Sequence, residues 1–344
     1  MKQNKNILGI LYFIIHFIIE ITSFYIVSSY IDTNLVWILA LMYDFFAFIP
    51  QGIFGYLKDK GIKINFTIIG MILSTLSLIL LYFNLNAILV ILVLSIGNCM
   101  IHIQGAETTL RTSNGKMAPS AIFVSGGSFG VITGKILAMY NVPIPFIIII
   151  NLLMLIPIAI CNKYVYLIDD KNLEKYNFSN KNINSKVIIT LAVFVVIVRA
   201  YMGYGIPTTW NKTLIQTILL YCSMGIGKAM GGILIDSIGI KKTALLSTIG
   251  SLPFLLFGNN VMAISLIGIM MFSMTMAVTL GLIVSEIKKY PGVAFGFTTV
   301  GLFLGSLPVF VFRINSILIN CLMVTILTVA SVIVLSVICR KEKV

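Results

Sequence analysis

The sequence predicts an all-α polytopic membrane protein with twelve transmembrane helices in two pseudo-symmetric six-helix bundles. Three observations lead to this prediction. Of the 344 residues, 59% are apolar and 10% are charged, whereas soluble domains average about 45–50% apolar and about 25% charged residues. The apolar residues form twelve long stretches, and one loop motif recurs half a chain later. This composition excludes a soluble enzyme, a disordered chain and a nucleic-acid-binding protein.

Each apolar stretch is long enough to be a transmembrane helix, which needs about 20 residues to cross about 30 Å of hydrocarbon. Continuous apolarity favours helices over a barrel, whose strands would alternate in polarity. The predicted spans are 7–30, 34–57, 62–83, 86–111, 117–140, 143–162, 187–207, 212–236, 240–258, 260–287, 291–312 and 314–339.

One long polar segment, 163–186, separates the sixth span from the seventh. It divides the chain into an N-terminal six-helix bundle (1–162), a cytoplasmic linker loop (163–186) and a C-terminal six-helix bundle (187–344). The apolar part of the first span exceeds the 7–15 residues of a signal-peptide core, so we expect it to remain in the protein. The five cysteines are odd in number and match no metal-site spacing, so we expect free thiols, no metal site and no cofactor.

The basic residues predict the orientation. With both termini in the cytoplasm, 19 of the 24 lysines and arginines lie on the cytoplasmic side, Lys212 and Arg313 lie outside, and three lie within spans. This bias follows the positive-inside rule and explains the net charge of +13 without nucleic acid. We therefore expect a multi-pass protein of the cell membrane, in contact with the lipid bilayer. The cytoplasmic set is Lys2, Lys5, Lys58, Lys60, Lys63, Arg111, Lys116, Lys163, Lys171, Lys175, Lys181, Lys186, Lys241, Lys242, Lys288, Lys289, Arg340, Lys341 and Lys343.

A loop motif follows both the second and the eighth spans. The first copy runs from Gly55 through Asp59 to Lys63, and the second runs from Gly232 through Asp236 to Lys241 and Lys242. Both read Gly-x-Leu-x-Asp-x-(x)-Gly-x-Lys, and their first glycines are 177 residues apart. Glycine permits close helix approach, and aspartate can cap a helix N-terminus or pair with lysine. The motifs therefore predict two gates on the cytoplasmic face, or two ordinary tight loops with solvated charges.

The paired motif resembles that of the major facilitator superfamily, whose loop between the second and third helices reads Gly-x-Leu-x-Asp-Arg-x-Gly-Arg-Lys. Here lysine replaces arginine, and the first copy is one residue shorter between Asp59 and Gly61. The resemblance covers the whole twelve-span chain. It implies a secondary transporter whose site lies between the two halves near the bilayer midplane.

A second resemblance is to the fosmidomycin-resistance-like efflux branch of that superfamily, which has Phe-His-Pro in the fourth helix and Gly-Gly-x-x-Gly-x-x-x-Gly-Pro in the fifth. This chain has Ile101-His102-Ile103, and Gly126, Gly127, Gly130 and Gly134 followed by Lys135. Both prolines are replaced. The glycines also fit a small-xxx-small packing face, with a counterpart at Gly292, Gly296, Gly301 and Gly305.

Charged residues within spans are costly, at about 2.5–3.5 kcal/mol each on insertion scales, so they should face a cavity or form pairs. In the first span Tyr12, His16 and Glu20 share one helix face. In the second span Asp44 and Gln51 share a face. We predict Glu20, Asp44, His16 and the fourth-span His102 as proton-coupling candidates, because a carboxylate at this depth can carry a proton. The alternative is structural pairing, for example of Glu20 with His16, or a packed His102.

The other candidates divide into substrate-binding and gating residues. Arg199 and Lys228 suit an anionic group, unless Glu20 or Asp44 neutralises them across the interface. With them we place Tyr12, Gln51, Asn98 and Tyr221. Glu107 and Arg111, an i, i+4 pair near the Asp59 loop, are gate candidates, and Glu286 is their second-half equivalent. Lys135 is expected to extend outward. The tenth-span methionines fill the core or line a soft pocket.

These features predict a secondary active transporter that moves a small molecule by alternating access. No Gly-x-x-x-x-Gly-Lys-Ser/Thr loop is present, so we expect a proton gradient, or alternatively a sodium gradient, to drive it. The first hypothesis is proton-coupled efflux by antiport, and the alternative is coupled uptake of a small organic anion. A non-transporting membrane sensor or scaffold is a third. We expect a monomer without enzyme activity, because no helix face carries a nucleophile with its base.

Overall fold

The computed structural model describes residues 2–165, 170–312 and 314–340, and side chains within 8–161, 173–312 and 314–340. Arg313, Lys341 and Lys343, whose side of the membrane was predicted above, lie outside the described residues. The described chain is almost entirely helical. Its α-helices are α1 (Lys2–Ser28), α2 (Val36–Phe48), α3 (Gln51–Asp59), α4 (Phe66–Tyr82), α5 (Ala87–Thr112), α6 (Ala118–Met139), α7 (Ile144–Val165), α8 (Ser185–Gly205), α9 (Leu214–Ile238), α10 (Ile240–Leu245), α11 (Leu252–Phe257), α12 (Met262–Ser273), α13 (Thr275–Glu286), α14 (Pro291–Val311) and α15 (Ile317–Ile338).

The predicted all-α membrane fold is confirmed. Among the described residues, eleven helical segments are long and apolar enough to cross a membrane, and α4 is a twelfth apolar helix of 17 residues. The third span was predicted from residue 62, but α4 begins at Phe66 because the Asn65 side chain accepts a hydrogen bond from the Ile68 N–H. Such an N-cap satisfies a backbone donor that has no partner in the helix.

Three predicted spans contain irregular segments. The second divides into α2 and α3 at Pro50, which has no N–H to continue the helix. The ninth contains a π-helical turn, Leu246–Gly250, between α10 and α11. The tenth divides at Met274, where the Ala277 N–H bonds to the Met274 carbonyl. That shift removes the usual i+4 partner of the Ser273 carbonyl, and the Arg199 guanidinium lies 3.5 Å from this oxygen.

Close glycine contacts hold α1 against α6. A Cβ on Gly126 would lie 2.6 Å from the Phe13 carbonyl oxygen, and one on Gly134 would lie 3.0 Å from the Tyr25 N atom. These positions therefore need glycine, since a side chain would separate the two helices. The close packing fixes the height of the α1 side chains relative to α6.

The linker crosses one end of the helices, which we call the linker side. Tyr176 is fully buried there and donates to the Leu110 carbonyl at 3.0 Å. Burial raises the pKa of the Tyr176 hydroxyl above its ordinary value, so the group stays protonated as a donor. The Phe178 N–H donates to Ser285 in α13, and the Phe178 carbonyl accepts from the Arg340 N–H after α15. The segment after Leu173 thus connects α5 with α13 and with the chain's last described residues.

Candidate functional site

A buried polar cluster lies where α1, α2 and α5 meet. Glu20 in α1 accepts a hydrogen bond from the Asn98 side-chain amide at 2.9 Å. The same amide nitrogen lies 3.1 Å from the Ser23 hydroxyl and 2.9 Å from the Tyr43 hydroxyl. Two histidines whose ring centroids are 4.4 Å apart lie next to Glu20, with His16 Nε2 3.9 Å and His102 Nε2 3.5 Å from the Glu20 Oε1 atom. We call His16, Glu20, Asn98 and His102 the carboxylate cluster.

The hydrogen bonds of the two histidines determine which ring nitrogen carries the proton. His16 Nδ1 lies 2.7 Å from the Phe123 carbonyl oxygen, and His102 Nδ1 lies 3.0 Å from the Asn98 carbonyl oxygen. A carbonyl only accepts, so each Nδ1 must be the donor. In a neutral ring the Nε2 atom then has a free lone pair, and both Nε2 atoms face Glu20. The ligand atoms of His16, Glu20 and His102 lie within 4.8 Å of one another, so these side chains can hold a cation.

Charges from the other half of the chain act on this cluster. Lys228 in α9 interacts electrostatically with Glu20 and with both histidines. Asp44 in α2 interacts with Glu20 and also with Tyr204 in α8. Glu20 therefore interacts with one acidic and one basic partner, and the basic partner belongs to the second half.

A cavity of about 740 Å³ opens at the end of the helices opposite the linker side. Ala40 of α2 lines it, with Tyr204 of α8 and Asn320 of α15. Asp44 lies one helical turn from Ala40 in α2 and interacts electrostatically with Glu20. Below the cavity the halves come together, since the Thr299 hydroxyl lies 3.2 Å from the Phe48 carbonyl oxygen and the rings of Phe45 and Phe303 are 5.5 Å apart.

On the linker side, Asp59 caps a helix of the opposite half. Its two carboxylate oxygens accept from the Gly292 N–H at 3.1 Å and from the Val293 N–H at 2.9 Å, at the start of α14. The backbones are in contact here, because a Cβ on Gly292 would lie 2.8 Å from the Gly55 carbonyl oxygen. A carboxylate at a helix N-terminus is favoured by both hydrogen bonding and the helix dipole.

Asp236 makes the reciprocal contact from the second half. It accepts from the Met117 N–H at 2.8 Å and from the Ala118 N–H at 2.9 Å, at the start of α6. Gly232 lies one turn earlier, where a Cβ would be 2.7 Å from the Met117 carbonyl oxygen. We call the Asp59–α14 and Asp236–α6 contacts the paired latch. Each contact joins one half of the chain to the other on the linker side.

The predicted gate pair lies beside the first contact of the latch. Arg111 Nε donates to Glu107 at 2.7 Å, and its Nη2 atom lies 3.4 Å from Asp59. Glu107 also accepts from the Gln104 amide at 3.1 Å. The arginine thus connects α5 to the latch carboxylate.

Solved structures with a similar fold are transporters. A comparison with the known protein families and a search of curated proteins both find no match. A variant of the E. coli fucose:proton symporter FucP aligns over 96% of this chain and 97% of its own, with a TM-score of 0.65 and 13% identity. FucP in the outward conformation, described as a major facilitator superfamily transporter, aligns over 94% and 98% with a TM-score of 0.57 and 13% identity. The chain has the major facilitator superfamily fold. The two copies of the predicted loop motif supply Asp59 and Asp236, the carboxylates of the paired latch.

The structure separates some residues that the sequence grouped together. Arg199 does not face Glu20; its guanidinium lies over the Phe272 ring at 5.2 Å and beside a small pocket lined by Ser247 and Thr328 of the second half. Gln51 is fully buried and donates to the Ala47 carbonyl. Tyr12 is buried against Phe123 and lies 3.3 Å from the Thr67 hydroxyl.

Lys135, which was expected to extend outward, contacts the substrate-binding candidate Tyr221. Its ammonium donates to the Tyr221 hydroxyl at 2.8 Å and lies over the Phe24 ring at 5.5 Å. The contact joins α6 to α9, and the partners are far apart in sequence. A sequence pattern could not indicate this pair, which depends on the packing of α6 against α9.

The remaining gate candidates lie on the linker side. Glu286 accepts a hydrogen bond from the Ser179 hydroxyl of the linker. Lys63 is exposed after α3, Lys242 is exposed in α10, and Lys241 is half-buried and close to Cys339. In the tenth span, Met274 is buried and Met276 packs against the core, which favours core filling over a pocket lining.

Replacing Asp236 with alanine is expected to loosen the linker side. The variant leaves the Met117 and Ala118 N–H groups without their acceptor, and loss of a cap costs about 0.5–2 kcal/mol. A cysteine introduced at the buried Ser120, in a chain whose native cysteines are alanine, should then react with a maleimide about 2- to 30-fold faster. The neighbouring exposed Ser237→Ala is the control, and equal rates in the two variants would contradict the role of the latch.

Proposed function

We propose that the chain is a proton-coupled secondary transporter that moves a small molecule by alternating access. The observation that supports this most is the position of Glu20. This buried carboxylate lies between a cavity open on one side and the paired latch that closes the other. With the predicted orientation, the linker side is cytoplasmic and the structure corresponds to an outward-facing state. Opening the latch and closing the cavity would expose the cluster to the other side.

Efflux by antiport is supported by the lone pairs around Glu20. Two histidine Nε2 atoms and a carboxylate oxygen face one another, and such a set of acceptors favours a cation. A cationic group bound there competes with the proton for Glu20. Competition for one site gives exchange of substrate for protons, because the carrier holds one or the other in each state.

Uptake of a small organic anion is the second candidate, and it is supported by Lys228. When Glu20 is ionised, its charge attracts the Lys228 ammonium across the two halves. Protonation of Glu20 removes that attraction and leaves Lys228 able to bind an anionic group. Proton and anion would then bind together, which gives symport, the mode that the name of the E. coli fucose:proton symporter states for that protein.

Proton flux in proteoliposomes distinguishes these modes. The purified chain is reconstituted with a pH-sensitive dye inside the vesicles, and metal ions, organic cations and organic anions are added outside. Antiport predicts that an entering cationic substrate drives protons out of the vesicle, whereas symport predicts that an entering anion brings protons in. A parallel series with a sodium gradient and no pH gradient tests sodium coupling. Well-folded protein that moves no protons with any compound would contradict proton coupling.

A further inference from the structure

Both histidines of the chain belong to the carboxylate cluster. The 344 residues contain two histidines, and they lie on different helices, His16 on α1 and His102 on α5. His16 is 3% exposed, and His102 and Glu20 are each 7% exposed. The helices thus bring the entire histidine content of the protein to one buried carboxylate.

The surrounding hydrogen bonds point the metal-binding atoms of these side chains inward. Each Nδ1 donates to a backbone carbonyl, and each Nε2 atom, which then carries the lone pair, lies within 3.9 Å of the Glu20 Oε1 atom. Histidines that ligate metal ions are held in the same way, with the second ring nitrogen donating to a carbonyl or carboxylate. Three acceptors this close together repel one another unless a proton or a metal cation lies among them.

The distances within the cluster fit a metal ion better than a direct hydrogen bond. The two Nε2–Oε1 separations, 3.9 and 3.5 Å, exceed the 2.7–3.2 Å expected for a hydrogen bond. Zinc binds histidine nitrogen and carboxylate oxygen at about 2.0–2.2 Å, so two ligands of a tetrahedral site lie about 3.4 Å apart. The observed separations approach that value and need small side-chain adjustments to reach it.

We propose that His16, Glu20 and His102 bind a divalent transition-metal ion such as Zn²⁺ or Co²⁺. Two imidazoles and one carboxylate suit such ions, and a fourth coordination position is left for water or a ligand group. The ion would be the cation that competes with the proton at Glu20, which names the substrate class of the site. Its use as cargo rests on the proposed function, whereas its binding rests on the geometry of the cluster alone.

Lys228 and Asp44 modulate the proposed site in opposite directions. Lys228 interacts electrostatically with all three ligands, so its charge opposes a bound metal ion. Asp44 interacts electrostatically with Glu20 and with the cavity-lining Tyr204, and its negative charge favours a cation at the cluster. Removing the lysine charge should therefore strengthen metal binding. If Glu20 only paired with neighbouring side chains and bound no metal ion, the same change would produce no such gain.

Direct binding to the purified, untagged full chain in detergent tests the proposal. Zn²⁺ is measured by competition with a chromophoric chelator, and Co²⁺ by its visible absorption. We expect one ion per chain. In Glu20→Gln and in His102→Gln the affinity should fall at least about 100-fold, because losing only the hydrogen-bond partner of a metal ligand already costs about 10–100-fold. Lys228→Met should bind several-fold more tightly. Asp32→Asn, at an exposed position outside the helices, should match the wild type.

Three results would overturn the metal site. One is a folded wild-type chain that binds neither ion, and another is full affinity in both ligand variants. The third is binding that survives in His102→Gln and disappears when the five cysteines are replaced, which would assign the ion to thiols. Metal binding without any transport would instead contradict the proposed function and leave the site standing, so the two failures are distinguishable.

Discussion

Gly55→Ala is expected to prevent closure of the linker side and to lower transport at least 100-fold. A Cβ on Gly55 would lie 2.9 Å from the Val293 N atom and closer still to the Gly292 carbonyl group. These neighbours are backbone atoms, so α3 and α14 must move apart. The Asp59 caps lie in the same contact and would weaken with it. The closed state that the structure shows would then lose population.

Gly52→Ala is the matched control for this experiment. Gly52 lies one turn earlier in α3, and a Cβ there meets no atom within 4 Å. Both substitutions improve helix propensity by about 1 kcal/mol, so only the contact with α14 differs between them. Besides transport, maleimide labelling of a cysteine at the buried Thr299 reports opening. Similar labelling in Gly55→Ala and Gly52→Ala would show that the close approach does not hold the gate.

Glu20→Gln is expected to abolish proton movement, with at least a 100-fold loss of flux, while the chain stays folded. Glutamine keeps the shape of glutamate, and its side-chain oxygen can still accept from the Asn98 amide that donates to Glu20. It cannot exchange a proton, and it no longer attracts Lys228. With an organic anion as substrate, the variant should therefore retain substrate exchange between the two sides when no net proton movement is required. A metal ion that Glu20 ligates should instead lose its exchange together with the proton flux.

Proton flux and counterflow of labelled substrate, measured in the same proteoliposomes, test this expectation. Asp32→Asn serves as the control because it removes a carboxylate of similar size from an exposed site. Wild-type proton flux in Glu20→Gln would exclude Glu20 as the proton carrier. Loss of both flux and counterflow, with an unchanged melting temperature, would assign Glu20 to substrate binding as well, as the proposed metal site requires.

Features that repeat or follow helical spacing could be predicted from the sequence. The apolar stretches predicted the helices, and the matching motifs predicted that Asp59 and Asp236 either cap a helix or pair with lysine, of which the structure shows the capping. The shared face of His16 and Glu20 also follows from their i, i+4 spacing. These features depend on residues close together in the sequence or on the internal repeat, so a single sequence is enough to predict them.

Contacts between distant helices could not be predicted in the same way. Asn98 and His102 approach Glu20 because α5 packs against α1, and the Tyr43 hydroxyl joins them from α2. No spacing in the sequence indicates which faces of these helices meet. The same holds for Arg199. The sequence indicated how deep this residue lies in its span, but the side chain points toward Phe272 because of how α8 packs in the second half.

The paired latch has the symmetry of a contact between two copies of one molecule. Each half offers one carboxylate and one helix start, and each receives the complementary group from the other. In a twofold-symmetric dimer, an interface of this kind is isologous: the same patch meets itself. A six-helix unit carrying both groups would therefore be self-complementary on this face. The latch could thus have closed in a homodimer of such units before the linker joined them into one chain.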